Sequence, residues 1–376
     1  MKKALIAMSG GVDSSVAALL TAREGYDCIG CTMRLYTNED AGLESGRTCC
    51  SLDDAEDARS VAFRLGMPFY VFNYTDEFRR QVIAPFVECY RRGLTPNPCI
   101  ECNAHMKFAR LMDRARELGC EKLVTGHYAR IAFDGEKYAL KKALDPDKDQ
   151  SYVLYMLSQE QLAMLSFPLG GMTKDQTRAL AEENGFRNAA KPDSQDICFV
   201  PDGDYAGMIR RFTGRELIPG DFTDAAGNVL GRHKGIECYT VGQRRGLGLS
   251  FAEPHYVIAV RPEDNTVVLG RKEELFSRRA WVERFHWIAG EEPAGPLRCR
   301  AKIRYRHAEQ AVTITPDGAG GAFLDFDEPQ RAVTPGQSAV AYDGDTVLGG
   351  GVLCPLPAEG KPAIIHSSQE KRRDRE

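Results

Sequence analysis

Long apolar runs are missing from this chain. No stretch approaches the ~18 consecutive apolar residues of a membrane-spanning helix, so no membrane role is expected. An excess of positive charge is missing as well. Against 49 Lys and Arg stand 53 Asp and Glu, a net charge of −4, so any nucleic acid must be met by a local basic patch. The start is expected to be a buried strand rather than a secretion signal: the apolar Ala4-Leu5-Ile6-Ala7 runs into Gly10-Gly11 and Asp13, with no small-residue cleavage site after a long apolar core. The chain is therefore expected in the cytoplasm. The 12 cysteines then read as reduced thiols, metal ligands or redox groups rather than a disulfide framework. No internal repeat is present.

What is there is an ordinary globular composition, 43% apolar and 27% charged, in a chain long enough for two or three domains. The first 200 residues alternate strand and helix signals. Strands are expected at Ala4–Ala7, Cys28–Met33, Phe69–Phe72 and Lys122–Thr125. Helices are expected at Val12–Ala22, Asp53–Leu65, Ala104–Leu118, Tyr152–Leu157, Gln159–Leu165 and Lys174–Asn184. Short apolar strands separated by helices imply a parallel sheet with helices on both faces.

After Phe199 glycine and proline become frequent and short alternating segments replace the helices. Tyr256–Val260, Thr266–Leu269, Arg298–Arg306, Ala311–Thr315, Ala322–Phe326 and Ser338–Tyr342 read as strands of a small barrel or sandwich. Pro201–Leu249 carries no decisive period. The expected division is 1–200 for the α/β domain, 201–270 for a small central domain, 271–356 for a C-terminal β-barrel and 357–376 for a disordered tail.

Ala7-Met8-Ser9-Gly10-Gly11-Val12-Asp13-Ser14-Ser15 joins the first strand to the first helix. Glycines there let the backbone approach a ligand and take positive φ. The helix start offers unpaired N–H groups and a positive dipole end, which suit phosphate. The lysine of a Walker loop is missing, which disfavours ordinary γ-phosphate transfer. The string is that of the PP-loop ATP pyrophosphatases, in which a substrate oxygen attacks the α-phosphate. A carbonyl oxygen is a poor leaving group and AMP a good one.

Thr95-Pro96-Asn97-Pro98-Cys99-Ile100-Glu101-Cys102-Asn103 is a turn-rich segment entering a helix at about Ala104, which puts Cys102 near a helix N-terminus. Cys198 lies in Asp193-Ser194-Gln195-Asp196-Ile197-Cys198-Phe199, among acids that disfavour its thiolate. A sulfur carrier with a resolving thiol, iron–sulfur ligands, and structural zinc with Cys49 or Cys50 as a further ligand all remain open on spacing. Arg298, Arg300, Lys302, Arg304 and Arg306 alternate with other residues, so a continuous strand would put these cations on one face. No acid interrupts that run, which points to phosphate contact, and Arg244-Arg245 between glycines adds a second basic loop.

With these segments in view, the chain resembles the bacterial tRNA-specific 2-thiouridylases over nearly its whole length. The segments that carry the resemblance are AMSGGVDSS, TPNPCIECN, TGHYAR, KDQSYVLY, SQDICF, YTVGQRRGLG, AKIRYR and TPGQSAV. The resemblance implies ATP, accompanied by Mg2+, at Ala7, Met8, Ser9, Gly10, Gly11, Val12, Asp13 and Ser14, with Met33 and Gly126 lining the site. It implies a persulfide on Cys198, delivered by a cysteine desulfurase or relay protein, and Cys102 as the nucleophile that closes a transient disulfide with Cys198. Asn97, Pro98 and Cys99 would meet the target base, the wobble uridine of certain tRNAs. His127, Lys148, Asp149, Gln150, Arg304, Tyr305 and Gln337 would contact tRNA. Many members of the family have aspartate where this chain has Cys99; the trio Cys99, Cys102 and Cys198 therefore also admits a [4Fe–4S] cluster. Two other readings of the residues are an ATP-dependent amidating synthetase and a non-catalytic RNA- or metal-binding protein.

Overall fold

The computed structural model describes residues 2–42, 52–192 and 197–357. Cys49 and Cys50, Asp193 and Asp196, and the tail from Ala358 onward lie outside them. The first domain is built on a five-stranded parallel sheet in the order Phe69–Asn73, Asp27–Arg34, Lys3–Ala7, Lys122–Val124, Leu165–Ser166. Alternation along the central strands explains why both faces are covered. Leu5, Cys31 and Leu123 point into one core with Phe108, Leu111 and Met112. Ala4, Ile6 and Val124 point into the other, with Val16, Leu19, Val61 and Ala62. Burying each large side chain stabilises the fold by about 1.5–3 kcal/mol, and here both sides of one strand contribute.

The sequence expectation of an α/β domain holds, but three elements differ from it. The helix expected from Ala104 begins at Pro98 and runs through Pro98–Glu101, the wide π turns Cys102–Arg110 and Leu111–Glu117. Asn97 caps it by accepting the Cys99 N–H at 3.2 Å, and proline is tolerated at a first helical position because its missing donor is not needed there. Tyr152–Leu157 is not an α-helix but a buried 3-10 turn, Ser151–Leu154. Its residues serve the barrel: Tyr152 donates to the Ser338 carbonyl at 2.7 Å, and Tyr155 lies 3.2 Å from Ser338 Oγ. The helix expected to reach Leu165 stops at Met164, because Leu165 pairs with Leu123 as the last strand of the sheet.

Pro201–Leu249 resolves into helix Tyr205–Thr213 and strands Gly220–Thr223 and Val229–His233, which join Tyr256–Arg261 and Thr266–Gly270 in a four-stranded sheet. The third domain is a closed antiparallel barrel in the order Phe276–Trp287, Ala322–Arg331, Gln310–Pro316, Leu297–Lys302, Ser338–Asp343, Thr346–Cys354, with the last pairing back to the first. The strand expected over Arg298–Arg306 ends at Lys302; residues 303–307 turn, with His307 N–H donating to the Arg304 carbonyl at 3.1 Å. Arg304 and Arg306 therefore do not extend the strand face of Arg298 and Arg300. No helix among the described residues is long and apolar enough to cross a membrane.

Candidate active site

The loop after strand Lys3–Ala7 is tied by its own serines. Ser14 Oγ accepts from the Ser9 N–H at 3.1 Å and donates to the Gly11 carbonyl at 3.1 Å; Ser15 Oγ donates to that carbonyl at 3.0 Å. Gly10 has φ +78°, and a Cβ there would stand 2.3 Å from the Asp54 carbonyl oxygen. Gly11 begins helix Val12–Arg23 with no side-chain cap, so the positive end of the helix is left for an anion. Gly126, just past strand Lys122–Val124, reaches the same turn: a Cβ on it would lie 2.8 Å from Asp13 C and Ser14 N. Met8 is buried, and Ala7 and Met33 are half-buried. The expected nucleotide residues are thus brought together at the C-terminal end of the central strand, where open α/β sheets bind ligands.

Sequence reasoning missed the groups that surround this loop. Lys174 Nζ stands 2.7 and 2.9 Å from the two carboxylate oxygens of Asp13. The Tyr128 hydroxyl donates to Asp13 at 2.9 Å and lies 2.9 Å from Thr177 Oγ1. One signal pointed to Lys174. It is the first residue of a helix whose cap is Thr173, where a cation opposes the dipole and needs another reason to be present. Asn188 donates to the Gly10 carbonyl at 2.9 Å, and Lys191 Nζ approaches that oxygen at 3.5 Å while pairing with Asp54 and Asp57. Burial works against the Lys191 charge, but the two carboxylates outweigh it and hold its pKa above the ordinary value.

Cys102 and the residues flanking Cys198 share a cluster with Met33 and Phe72, from strands Asp27–Arg34 and Phe69–Asn73. Cys99 and Cys198 are exposed and Cys102 is partly buried. Cys102 packs against the cluster containing Phe78, Phe86, Phe199 and Val200, the residues that follow Cys198 among them. The Tyr36 hydroxyl donates to the Cys198 carbonyl at 2.7 Å. A cavity of about 530 Å³ opens beside them, lined by Thr95, Pro96, Ile197, Glu237, Thr240 and Gln337, which come from all three domains. Among the described residues no group of three His, Cys, Asp or Glu is placed to hold a single metal ion.

Of the residues expected to contact tRNA, Asp149, Tyr305 and Gln337 form part of the seam between the first domain and the barrel. Asp149 accepts from Ser151 Oγ at 2.8 Å and the Ala143 N–H at 3.0 Å; Gln150 Oε1 accepts from the Tyr128 N–H at 3.0 Å. Lys148 is half-buried on the same turn. The Tyr305 hydroxyl donates to the Asp149 carbonyl at 3.2 Å, and Gln337 donates to the Thr95 carbonyl at 2.7 Å. Arg304 donates to the carbonyls of Val241 at 3.2 Å and Ala332 at 2.9 Å, and to Thr334 Oγ1. It therefore props the base of the loop that exposes Arg244 and Arg245. The strand cations have acidic neighbours: Arg298 is bidentate to Asp327, at 2.6 Å for one contact, and Arg300 Nε lies 3.8 Å from Glu309. That face is mixed in sign.

His127 is only 7% exposed, with Thr125 Oγ1 2.7 Å from Nδ1 and Lys107 Nζ 3.5 Å from Nε2. Burial, then the Lys107 charge, holds its pKa well below the usual 6.5. A histidine kept neutral by the fold contributes stability that is complete above the unfolded pKa of about 6.5 and is lost as pH falls below it. His233 and His307 shift the same way, also chiefly through burial. His127→Gln is expected to flatten the decline of stability between about pH 6.5 and 5, followed by urea melts at each pH. A slope equal to that of the parent protein would show that the ring is not held neutral.

Comparison with known proteins places these observations. Residues 2–202 match the family described as tRNA methyl transferase HUP domain, 208–271 the tRNA methyl transferase PRC-barrel domain and 277–353 the aminomethyltransferase beta-barrel domain. Proteins named tRNA-specific 2-thiouridylase MnmA are similar over almost their full length. That of Acetivibrio thermocellus is 48% identical over 94% of this chain and 99% of its own; that of Clostridioides difficile is 48% identical over 94% and 98%. That of Geotalea uraniireducens is 49% identical over 93% of this chain and 94% of its own.

Proposed function

The chain belongs to the tRNA-specific 2-thiouridylase family, and from that premise we propose that it activates the C2 carbonyl of a tRNA wobble uridine with ATP and replaces its oxygen with sulfur held on Cys198. It is a tRNA sulfurtransferase that uses ATP; the steps by which it does so are the proposal. The observation that carries it is the Gly10-Gly11 turn: an uncapped helix start, closed by Gly126 and backed by the Asp13–Lys174 pair. This is a cradle for the pyrophosphate end of ATP, with Mg2+ accompanying the nucleotide. The amidating-synthetase and non-catalytic readings have no comparable support.

The uridine oxygen attacks the α-phosphate, the bond to the β-phosphate breaks, and pyrophosphate leaves with its electron pair. The terminal sulfur of a Cys198 persulfide then attacks C2, and the C–O bond breaks with AMP as leaving group. The Cys102 thiolate attacks the Cys198 sulfur, the S–S bond to the substrate breaks, and its electron pair stays on the thiocarbonyl sulfur. A Cys102–Cys198 disulfide remains, to be reduced by an external dithiol. The persulfide comes from a cysteine desulfurase or a relay protein. A [4Fe–4S] cluster on Cys99, Cys102 and Cys198 is the competing route, and the Cys99→Asp variant tests it. Asn97, Pro98 and Cys99 begin the helix beside the cavity and are assigned to the target base. Lys148, Asp149, Gln150, Arg304, Tyr305 and Gln337 are assigned to tRNA at the seam, buried His127 acts on it only through its first-domain neighbours, and exposed Arg244 and Arg245 add phosphate contacts.

The test is a reaction of purified protein, ATP, unmodified tRNA, cysteine and a cysteine desulfurase, read by nucleoside mass spectrometry with nucleotide products measured in parallel. Expected are 2-thiouridine at the wobble position and AMP with pyrophosphate. ADP with phosphate instead, or sulfur at another position, would sink the mechanism.

A further inference from the structure

One carbonyl in the nucleotide loop is held by two donors that neither the serine string nor the helix requires. The Gly10 oxygen accepts from Asn188 Nδ2 at 2.9 Å and is approached by Lys191 Nζ at 3.5 Å. Asn188 is only 3% exposed; its Nδ2 also donates to Ser15 Oγ at 2.9 Å, while its Oδ1 is buried with no hydrogen-bond partner. An orphaned buried acceptor is unfavourable, and turning the amide over would face Oδ1 against the Gly10 oxygen. The amide is thus held in an orientation that satisfies the loop at the expense of its own acceptor. Lys191 is anchored in turn by Asp54 and Asp57 on helix Leu52–Arg64. Asp54 also supplies the backbone oxygen that leaves no room for a side chain on Gly10.

A trans peptide is planar, so the Gly10 carbonyl and the Gly11 N–H point in opposite directions. Pinning the carbonyl back toward Asn188 and Lys191 aims that N–H the other way, out of the uncapped start of helix Val12–Arg23. We propose that Asn188 and Lys191 are positioning residues that lock the Gly10–Gly11 peptide plane so that its N–H is aimed at the pyrophosphate portion of ATP. Left unpinned, a glycine pair can rotate this plane and present a carbonyl to the anion. The two residues act through the backbone and need not touch the nucleotide.

This inference rests on the nucleotide-loop reading above, and the test separates the two. Calorimetric titrations of the full chain with ATP, inorganic pyrophosphate and adenosine are compared for the parent protein and the variants Asn188→Asp, Lys191→Met and Lys191→Arg. Asn188→Asp keeps the shape but removes the donor; Lys191→Met keeps the stem but removes the charge. Both are expected to weaken ATP and pyrophosphate by at least about tenfold, the scale of one hydrogen bond to a charged group, with adenosine unchanged. Lys191→Arg, which keeps a donor, should stay near the parent. Variants that bind pyrophosphate like the parent would overturn the positioning role. So would equal losses for adenosine and pyrophosphate, the mark of general damage. A parent protein indifferent to pyrophosphate would sink the nucleotide-loop reading and the inference with it.

Discussion

Cys198→Ser is expected to abolish tRNA thiolation, by at least about 10³-fold, while tRNA-dependent AMP formation continues. A serine oxygen cannot carry a sulfane sulfur, whereas the Gly10-Gly11 turn is held by bonds from Ser14 and Asn188. Cys102→Ser should fail equally and for a different reason, leaving the persulfide loaded on Cys198, where intact-protein mass spectrometry would find it. Cys102 sits in the second turn of the helix that starts at Pro98, packed against the cluster that includes Phe199. Cys99→Asp is the contrasting variant. Cys99 is exposed in the first turn and has no part in the proposed persulfide steps, so thiolation is expected to persist without iron. Thiolated nucleoside per enzyme, AMP and iron content are measured together. Normal thiolation by Cys198→Ser would mean that sulfur reaches the uridine without this carrier. Loss of both activity and iron in Cys99→Asp would restore the cluster route.

Asp13→Ala is expected to lower tRNA-dependent AMP formation by about 10²–10³-fold, because Asp13 holds the Lys174 ammonium beside the turn and misplacing one preorganised donor costs on this scale. It is also expected to destabilise the fold by about 3–5 kcal/mol, because it strands the Lys174 ammonium, whose side chain is only 9% exposed. The double variant Asp13→Ala with Lys174→Met separates the effects. Removing both charges should recover much of the stability and none of the activity. Urea melts read the first and AMP release the second. If the double variant regains AMP formation, the pair is structural and the loop works without it.

The glycine-serine turn before the first helix was legible because all its parts are consecutive. Ser9 through Ser15 carry the glycines, the hydroxyls and the helix start on one stretch of chain, and local chemistry sufficed to read them. The arginine run from Arg298 to Arg306 was misread for the opposite reason. Its strand stops at Lys302, and the acids that answer Arg298 and Arg300, Asp327 and Glu309, come from other parts of the barrel domain. Arg304 turns inward to hold the Val241 and Ala332 carbonyls, which no alternation pattern could show. The helix start at Pro98 was available in the sequence, since Asn97-Pro98 is a cap followed by a first-turn proline. The Thr-Pro-Asn-Pro composition favoured reading it as a turn.

By itself the sequence determined the parallel sheet of the first domain and the glycine-serine turn between its first strand and first helix, because hydrophobic period and contiguous motifs are local properties. Tertiary structure alone decided what surrounds that turn. Lys174 on Asp13, Asn188 and Lys191 on Gly10, and Gly126 against Ser14 are separated from the loop by more than a hundred residues of chain. They meet it only because the sheet order sets strand Lys122–Val124 beside Lys3–Ala7 and folds the later helix across them. Such pairings follow from the packing of whole elements on both faces of a sheet, and no local pattern encodes them.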